Sequence, residues 1–313
     1  MALVSTSSLA TSAGSPSASE GVQFVGLAVV WGTSFLLIKV AEHSFAPMQV
    51  GFGRALVGAV TLALFAAARS QRLPRSPQTW AHLFVAGALL NAVPFALFAY
   101  GEEHTSSILA GIWSATSPLF TLPVAIALIR DEHGDRRRVS GLILGFIGVL
   151  VVLGAWNGLG KTSVEGNLLC LGAAASFGFG YAYTRRFLSG RPEGSLSLTT
   201  AQVGCAALQL AIVTALVTTP PHRVHADAAA CIAALGVLGT GVAYVLNYGL
   251  IRTFGATNAS TVTYLIPIFS TFSGVVLLHE TFAANQPLGA AVILLGAATA
   301  QGRLGRRRGR PPR

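Results

Sequence analysis

The sequence predicts an all-α polytopic membrane protein, with ten transmembrane helices arranged as two inverted five-helix repeats. Three observations carry that expectation: continuous apolar runs of membrane-spanning length, a scarcity of charge, and a second half that repeats landmarks of the first. Of 313 residues, 52% are hydrophobic and only 10% are charged, where a soluble domain carries roughly 25% charged residues. Mean hydropathy is +0.63. Lipid is therefore the main solvent. The length accommodates ten spans of about 20 residues with short connections, and no large soluble domain.

Residues 1–21 are rich in Ser, Ala and Thr and are expected to form a disordered tail. No basic segment precedes a short apolar core there, so a cleaved signal peptide is not expected. The first repeat is placed at 22–156, with spans at 22–41, 50–68, 79–99, 107–129 and 139–156. The second is placed at 157–302, with spans at 167–187, 198–218, 228–250, 258–278 and 287–302, the last being the shortest. Residues 303–313 form a basic tail. The runs Phe24–Val30 and Gly141–Leu153 are continuous. The short alternating segments of a barrel are therefore not expected, and helices satisfy their own backbone hydrogen bonds in lipid.

Basic residues close the even-numbered spans. Arg69, Arg72 and Arg75 follow the second; Arg130, Arg136, Arg137 and Arg138 follow the fourth. Arg185, Arg186 and Arg191 follow the sixth, Arg252 the eighth, and six arginines of the tail the tenth. With the N-terminus inside, 17 of the 21 basic residues fall on the inner side and only Lys161 and Arg223 outside. The positive-inside rule then places both termini in the cytoplasm. The same distribution explains the net charge of +10 without a nucleic-acid partner.

The halves align at an offset of 148 residues. Tyr100-Gly101 matches Tyr248-Gly249, Glu132 matches Glu280, and Gly141 and Gly148 match Gly289 and Gly296. Pro118 matches Pro267 with one further residue of shift. An odd number of spans per half makes the halves run oppositely through the bilayer. This is a common plan of secondary transporters, whose substrate sites lie near the midplane between repeats.

The first span, Trp31-Gly32-Thr33-Ser34-Phe35 followed by Lys39 and Arg54, resembles the opening of EamA-type transporters of the drug/metabolite transporter superfamily. The Pro118 span, Glu132, the Gly141 and Gly148 pair and their second-half counterparts extend the resemblance over 22–302. It implies two inverted five-helix repeats, cytoplasmic termini, residence in a bacterial inner membrane, and export or exchange of small, often amino-acid-like metabolites. The second half departs from the pattern: Phe177-Gly178 stands where the Trp-Gly opening would recur, and Gln202 stands near where Arg54 maps.

Lys39 and Arg54 are cations inside predicted spans. A charge there usually faces a cavity or a partner, so the pair is a candidate for binding a substrate carboxylate; the alternative is snorkelling to the interface. Trp31, Asn91, Trp113, Tyr244, Asn247, Tyr248 and Tyr264 are candidate binding residues, because pockets combine apolar walls with a few placed polar groups. The competing reading is interhelical hydrogen bonding for the Asn residues and an interfacial belt for the aromatics. Pro118 and Pro267 each remove a backbone donor and are candidate hinges or static kinks.

The acids are expected in loops or at helix ends, so proton antiport through a central carboxylate is not supported, while coupling through an end-of-helix group stays open. Cationic drugs are disfavoured beside Lys39 and Arg54. Phosphate-binding loops, zinc helices and nucleophile elbows do not occur, so neither a catalytic residue nor a cofactor is assigned. His222 and His225 beside Arg223 and Asp227 are read as a solvated loop and not a metal site. Cys170, Cys205 and Cys231 read as small buried hydrophobes. The expected partners are a small-molecule substrate and membrane lipids. A membrane-embedded lipid-modifying enzyme and a non-transporting scaffold are the alternatives.

Overall fold

The computed structural model describes residues 18–128, 136–153, 163–189, 191–221, 223–254 and 260–300. The terminal tails beyond these, and Arg130, Asp131, Glu132, Lys161 and His222, lie outside the described residues. Among the described residues there are ten helical spans. They are α1 (Ala18–Ala41), α2 (Pro47–Ala68), α3 (Pro77–His104), α4 (Ser107–Leu128) and α5 (Arg136–Leu153). The second set is α6 (Val164–Phe187), α7 (Ser195–Val217), α8 (Ala226–Phe254), α9 (Ser260–Leu278) and α10 (Asn285–Ala300). Six of them, α1 to α4, α7 and α8, are long and apolar enough to cross a membrane; α5 and α9 contain shorter apolar helices. The chain is a multi-pass membrane protein.

Helix starts follow local chemistry. Pro77 opens α3 where a missing N–H costs nothing, and Ser76 accepts from Thr79 N at 3.5 Å. Ser106 and Ser163 accept from Leu109 N and Gly166 N, both at 3.2 Å, at the starts of α4 and α6. At α2, Pro47 follows Ala46, whose N–H donates to Gln49 Oε1 at 2.9 Å. The third span runs five residues past its expected end, so Glu102 and Glu103 are helical.

Four spans are interrupted, at corresponding places in the two repeats. In α3 the residues Ala88–Ala92 form a π turn, and in α8 Val237–Val242 do. In α4 the helix breaks between Ser114 and Ser117; in α9 the turn Ser260–Tyr264 gives way at Leu265 to Ile266–Leu278. Pro118 and Pro267 therefore do not sit within continuous helices. Each is the second residue of a new helical segment, where proline's missing donor would be unpaired in any case.

The packing obeys a pseudo-twofold. α2 packs on α7, and α5 packs on α10. α1 packs on α8 and α9, while α6 packs on α3 and α4. The repeats are threaded oppositely: the end of α3 meets the start of α6, where His104 Nε2 lies 3.9 Å from Glu165 Oε1. The end of α5 meets the start of α10, where Asn285 Nδ2 donates to Val152 O at 3.0 Å.

Glycines let these pairs approach. A methyl group on Gly32 of α1 would stand 3.1 Å from Ile266 O of α9; one on Gly178 of α6 would stand 2.8 Å from Thr121 N of α4. A methyl on Gly87 of α3 would meet Gln202 O of α7 at 2.7 Å, and one on Gly236 of α8 would meet Gly58 N of α2 at 3.0 Å. The tightest crossing is α5 with α10. There a methyl on Gly148 would meet Ile293 N at 2.6 Å and Gly289 O at 2.9 Å, and one on Gly289 would meet Gly148 O at 2.8 Å. Small residues at such crossings supply van der Waals contact that side chains would block.

Gly148→Ala should therefore force α5 and α10 apart and lower the melting temperature, at a cost of about 1–3 kcal/mol for overpacking. Gly204→Ala, with open space around its new methyl, should leave it unchanged. Thermal unfolding in detergent, followed by size-exclusion fluorescence, checks both; equal melting temperatures would contradict the crossing described here.

Candidate functional site

Arg54 is the eighth residue of α2, about 10 Å along its axis at 1.5 Å per residue. Its Nε donates to Thr240 Oγ1 at 3.2 Å, and its guanidinium lies over the Phe95 ring, 4.1 Å from the centroid. Thr240 belongs to the π turn of α8. Among the described residues no carboxylate forms an ion pair with Arg54. The cation is thus held by a neutral hydroxyl and an aromatic face, without an ion-pair partner among the described residues.

The π turns organise what surrounds it. A π turn widens the helix and loosens the usual carbonyl-to-amide pairing, so its carbonyls can accept from elsewhere. In α8, Gly239 O accepts from Trp31 Nε1 of α1 at 3.3 Å. In α3, Leu89 O accepts from Ser176 Oγ of α6 at 2.7 Å. The first helix of each repeat thus donates to the π turn of the other repeat's third helix. Gly239 also keeps this region open: a methyl there would stand 3.1 Å from Ser34 Oγ and 3.8 Å from Arg54 Nη2.

Asn91, at the π turn of α3, is fully buried. Its Nδ2 donates to the Tyr244 hydroxyl at 2.7 Å, and its Oδ1 accepts from Gln202 Nε2 at 2.7 Å. Gln202 occupies in α7 the position that Arg54 occupies in α2. The duplicated positions therefore carry a cation on one side and an amide on the other, both turned toward the contact between repeats.

Trp31, Arg54, Asn91 and Tyr244 are brought together by these bonds and by the packing of α1, α2, α3 and α8. Lys39 is not part of this group. It lies two turns beyond Trp31, about 12 Å along α1, where Nζ donates to the backbone carbonyls of Glu102 and Thr105. Trp113 is enclosed in the core, with Nε1 donating to Asn167 Oδ1 at 2.7 Å. Asn247 and Tyr264 are half-buried, on α8 and at the end of the α9 turn. The side chain of Tyr248 lies outside the described residues. Phe95, Thr240 and Gly239 belong to the group but carry no sequence signal as binding residues; the 148-residue offset alone points to Gln202. Among the described residues no cluster of three His, Cys, Asp or Glu residues could hold a metal ion.

Comparison with known proteins gives a consistent picture. The sequence profile of the EamA-like transporter family matches residues 21–154 and 164–300. The chain is 27% identical to the uncharacterized transporter YvbV of Bacillus subtilis over 281 residues, 86% of this chain and 87% of that one. It is 27% identical over 287 residues to a Salmonella typhimurium protein named "Probable amino-acid metabolite efflux pump", covering 88% of this chain and 93% of the relative. A solved crystal structure shares the fold, with a TM-score of 0.63 at 20% identity over 91% of this chain and 99% of that one.

Replacing Asn91 by Leu would leave Gln202 and the Tyr244 hydroxyl without their partner, at a cost of about 1–3 kcal/mol per buried polar group. Tyr244→Phe removes a single hydroxyl and should cost less. Melting temperatures of the two variants should follow that order; equal values would show that the network does not bind the repeats together.

Proposed function

Because this chain belongs to the EamA-like transporter family, we propose that it carries small metabolites bearing a carboxylate, amino acids among them, by alternating access between its two repeats. Family membership sets aside the lipid-modifying enzyme. The observation that carries the proposal is Arg54: a guanidinium without a carboxylate partner, placed where α2 of the first repeat meets α8 of the second. A cation without an ion-pair partner within a membrane span is costly and is repaid when an anionic ligand arrives. Trp31, Phe95, Asn91, Tyr244 and Gln202 would supply the apolar walls and amide groups that fix an amphipathic solute. Lys39, Asn247, Tyr248 and Tyr264 complete the proposed set along the path; Trp113 contributes by holding α4 against α6.

Alternating access needs helices that bend at matched depths. The π turns of α3 and α8 and the breaks before Pro118 and Pro267 supply such points in both repeats, which makes these two prolines the proposed hinges. The arginines that follow α2, begin α5 and end α6 lie at one end of the bundle. There Arg72 O accepts from Ser197 Oγ at 2.7 Å, joining the α2–α3 connection to the first turn of α7. By the positive-inside rule that end faces the cytoplasm of a bacterial inner membrane, with both termini on the same side. Efflux is the favoured direction because of the Salmonella relative's name.

Arg54→Ala should reduce flux of labelled amino acids in proteoliposomes at least about tenfold, the equivalent of a lost charge-assisted contact. Arg54→Lys should retain part of it, since the charge stays while the fork is lost. Unchanged flux in Arg54→Ala, with normal insertion, would remove Arg54 from the substrate path.

A further inference from the structure

Glu102 stands in the last turn of α3 with its side chain fully buried, and neither carboxyl oxygen accepts a hydrogen bond. Among the described acidic groups at this end of the bundle, Glu280, Glu165 and Glu42 each have a donor or a cation, and Glu103 is exposed to solvent. Glu280 follows the left-handed turn at His279 (φ 54°) that closes α9. It caps the start of α4, accepting from Ser107 N at 3.0 Å, Ser107 Oγ at 3.0 Å and Ile108 N at 3.2 Å. Glu165 faces His104 at an exposed site. Glu42, just beyond α1, lies 4.0 Å from Lys39 Nζ.

Lys39 does not serve Glu102's carboxyl group. Its Nζ is committed to two backbone carbonyls, those of Glu102 and Thr105, at the C-terminal end of α3, where a cation offsets the helix dipole. One ammonium therefore stands among two enclosed carboxyls, Glu42 and Glu102. With both ionised the group carries an unpaired buried negative charge, which a low-dielectric site does not sustain. A metal ion has no ready place, because Lys39 occupies the carbonyls that would coordinate it. A single proton restores neutrality.

Resting on the chain's being a transporter, we propose that Glu102 is its proton-carrying site, holding a proton while α1, α4 and α6 are closed over it and yielding it to water when that end opens. The O–H bond breaks heterolytically, the proton passes to water, and the carboxylate is left facing solvent. Burial pushes the neighbouring Glu42 up to about 8, against the pull of Lys39 and with the added repulsion of Glu103. This supports a pair of carboxyls that titrate together. The other groups acting on Glu102 are Glu280 from the α9–α10 connection and Arg54 from α2, with the Cys170 thiol of α6 beside it. Arg54 links the two sites. A carboxylate that neutralises Arg54 removes a positive charge from Glu102's surroundings and tightens its hold on the proton.

Infrared spectra of the purified full-length protein in nanodiscs, titrated with alkali, test this without a known substrate. A protonated-carboxyl band persisting at neutral pH is expected, with its most alkaline component missing in Glu102→Gln. Glu42→Gln should keep that component but move its midpoint to lower pH by removing a like charge; Lys39→Gln should move it higher. Stability should fall as pH rises from about 4.5 to about 8, because the folded state holds protons that the unfolded chain has already released. Absence of the band at neutral pH, or its persistence in Glu102→Gln, would overturn the proposal. Should Glu102→Gln fail to fold, the two opposite midpoint shifts decide; unmoved midpoints overturn it. In proteoliposomes given a mixture of L-amino acids, Glu102→Gln should keep exchange of labelled for unlabelled solute and lose accumulation driven by a pH gradient. Wild-type accumulation in that variant would also overturn it. A result confined to Arg54→Ala leaves the infrared signature standing, so failure of the substrate reading is told apart from failure of this one.

Discussion

A polar group inside a bilayer must find its partner within the protein, because lipid offers none. That constraint organises this structure. At both π turns, where the chain loosens its own helical pairing, a side chain from the opposite repeat completes it. The π turn of α8 is completed by Trp31 and that of α3 by Ser176. The buried amide of Asn91 is satisfied by Tyr244 and Gln202. The weak points of each repeat are thus docking points for the other. A single repeat would leave these carbonyls and amides facing lipid, so the bonds that satisfy the backbone also hold the two halves together.

Symmetry supplies the scaffold, and departures from it supply the chemistry. The glycine contacts of α1 with α9 and of α6 with α4 are counterparts, as are those of α3 with α7 and of α8 with α2. At the positions nearest the axis the copies diverge. Arg54 faces Thr240 and Phe95, while its counterpart Gln202 bonds Asn91. Two arginines there would repel across the contact, and two glutamines would leave it neutral. One of each gives a single charge in an otherwise neutral polar network.

Much of the fold was legible in the sequence because lipid writes strong rules. Apolar runs, arginine clusters and matched glycines located ten spans, and the 148-residue offset found the repeats. The site was legible in part. Trp31, Arg54, Asn91 and Tyr244 stand out as polar or aromatic residues in apolar surroundings, and the structure brings them together. The π turns were not legible, because a π turn depends on packing across the repeat contact and not on local residue type. Without them, Thr240 and Gly239 read as ordinary span residues. Pro118 and Pro267 were visible, but as mid-helix kinks, since nothing local reveals that the helix has already ended before each. The sequence places Glu102 in a loop or at a helix end, and its burial is missed because the apolar run ends earlier than the helix does. Its burial comes from α1, α4 and α6, which close around it in space.

The rigid and deformable parts of the bundle are separated. α5 and α10 cross through Gly148, Gly289 and Gly296 with backbones in near contact, and neither contains a break. The π turns and helix breaks are confined to α3, α4, α8 and α9, the helices that meet α1 and α6. A motion that rearranges these four against α1 and α6 alters side-chain hydrogen bonds with neutral partners. One that separates α5 from α10 would lose the tightest backbone packing in the molecule. The first is the cheaper, because such bonds can be exchanged for bonds to water or solute at small net cost. Both proposed sites, the fixed cation of Arg54 and the enclosed carboxyl of Glu102, lie on that deformable side. A rearrangement there changes the surroundings of both charges at once, which is the physical requirement for coupling one to the other.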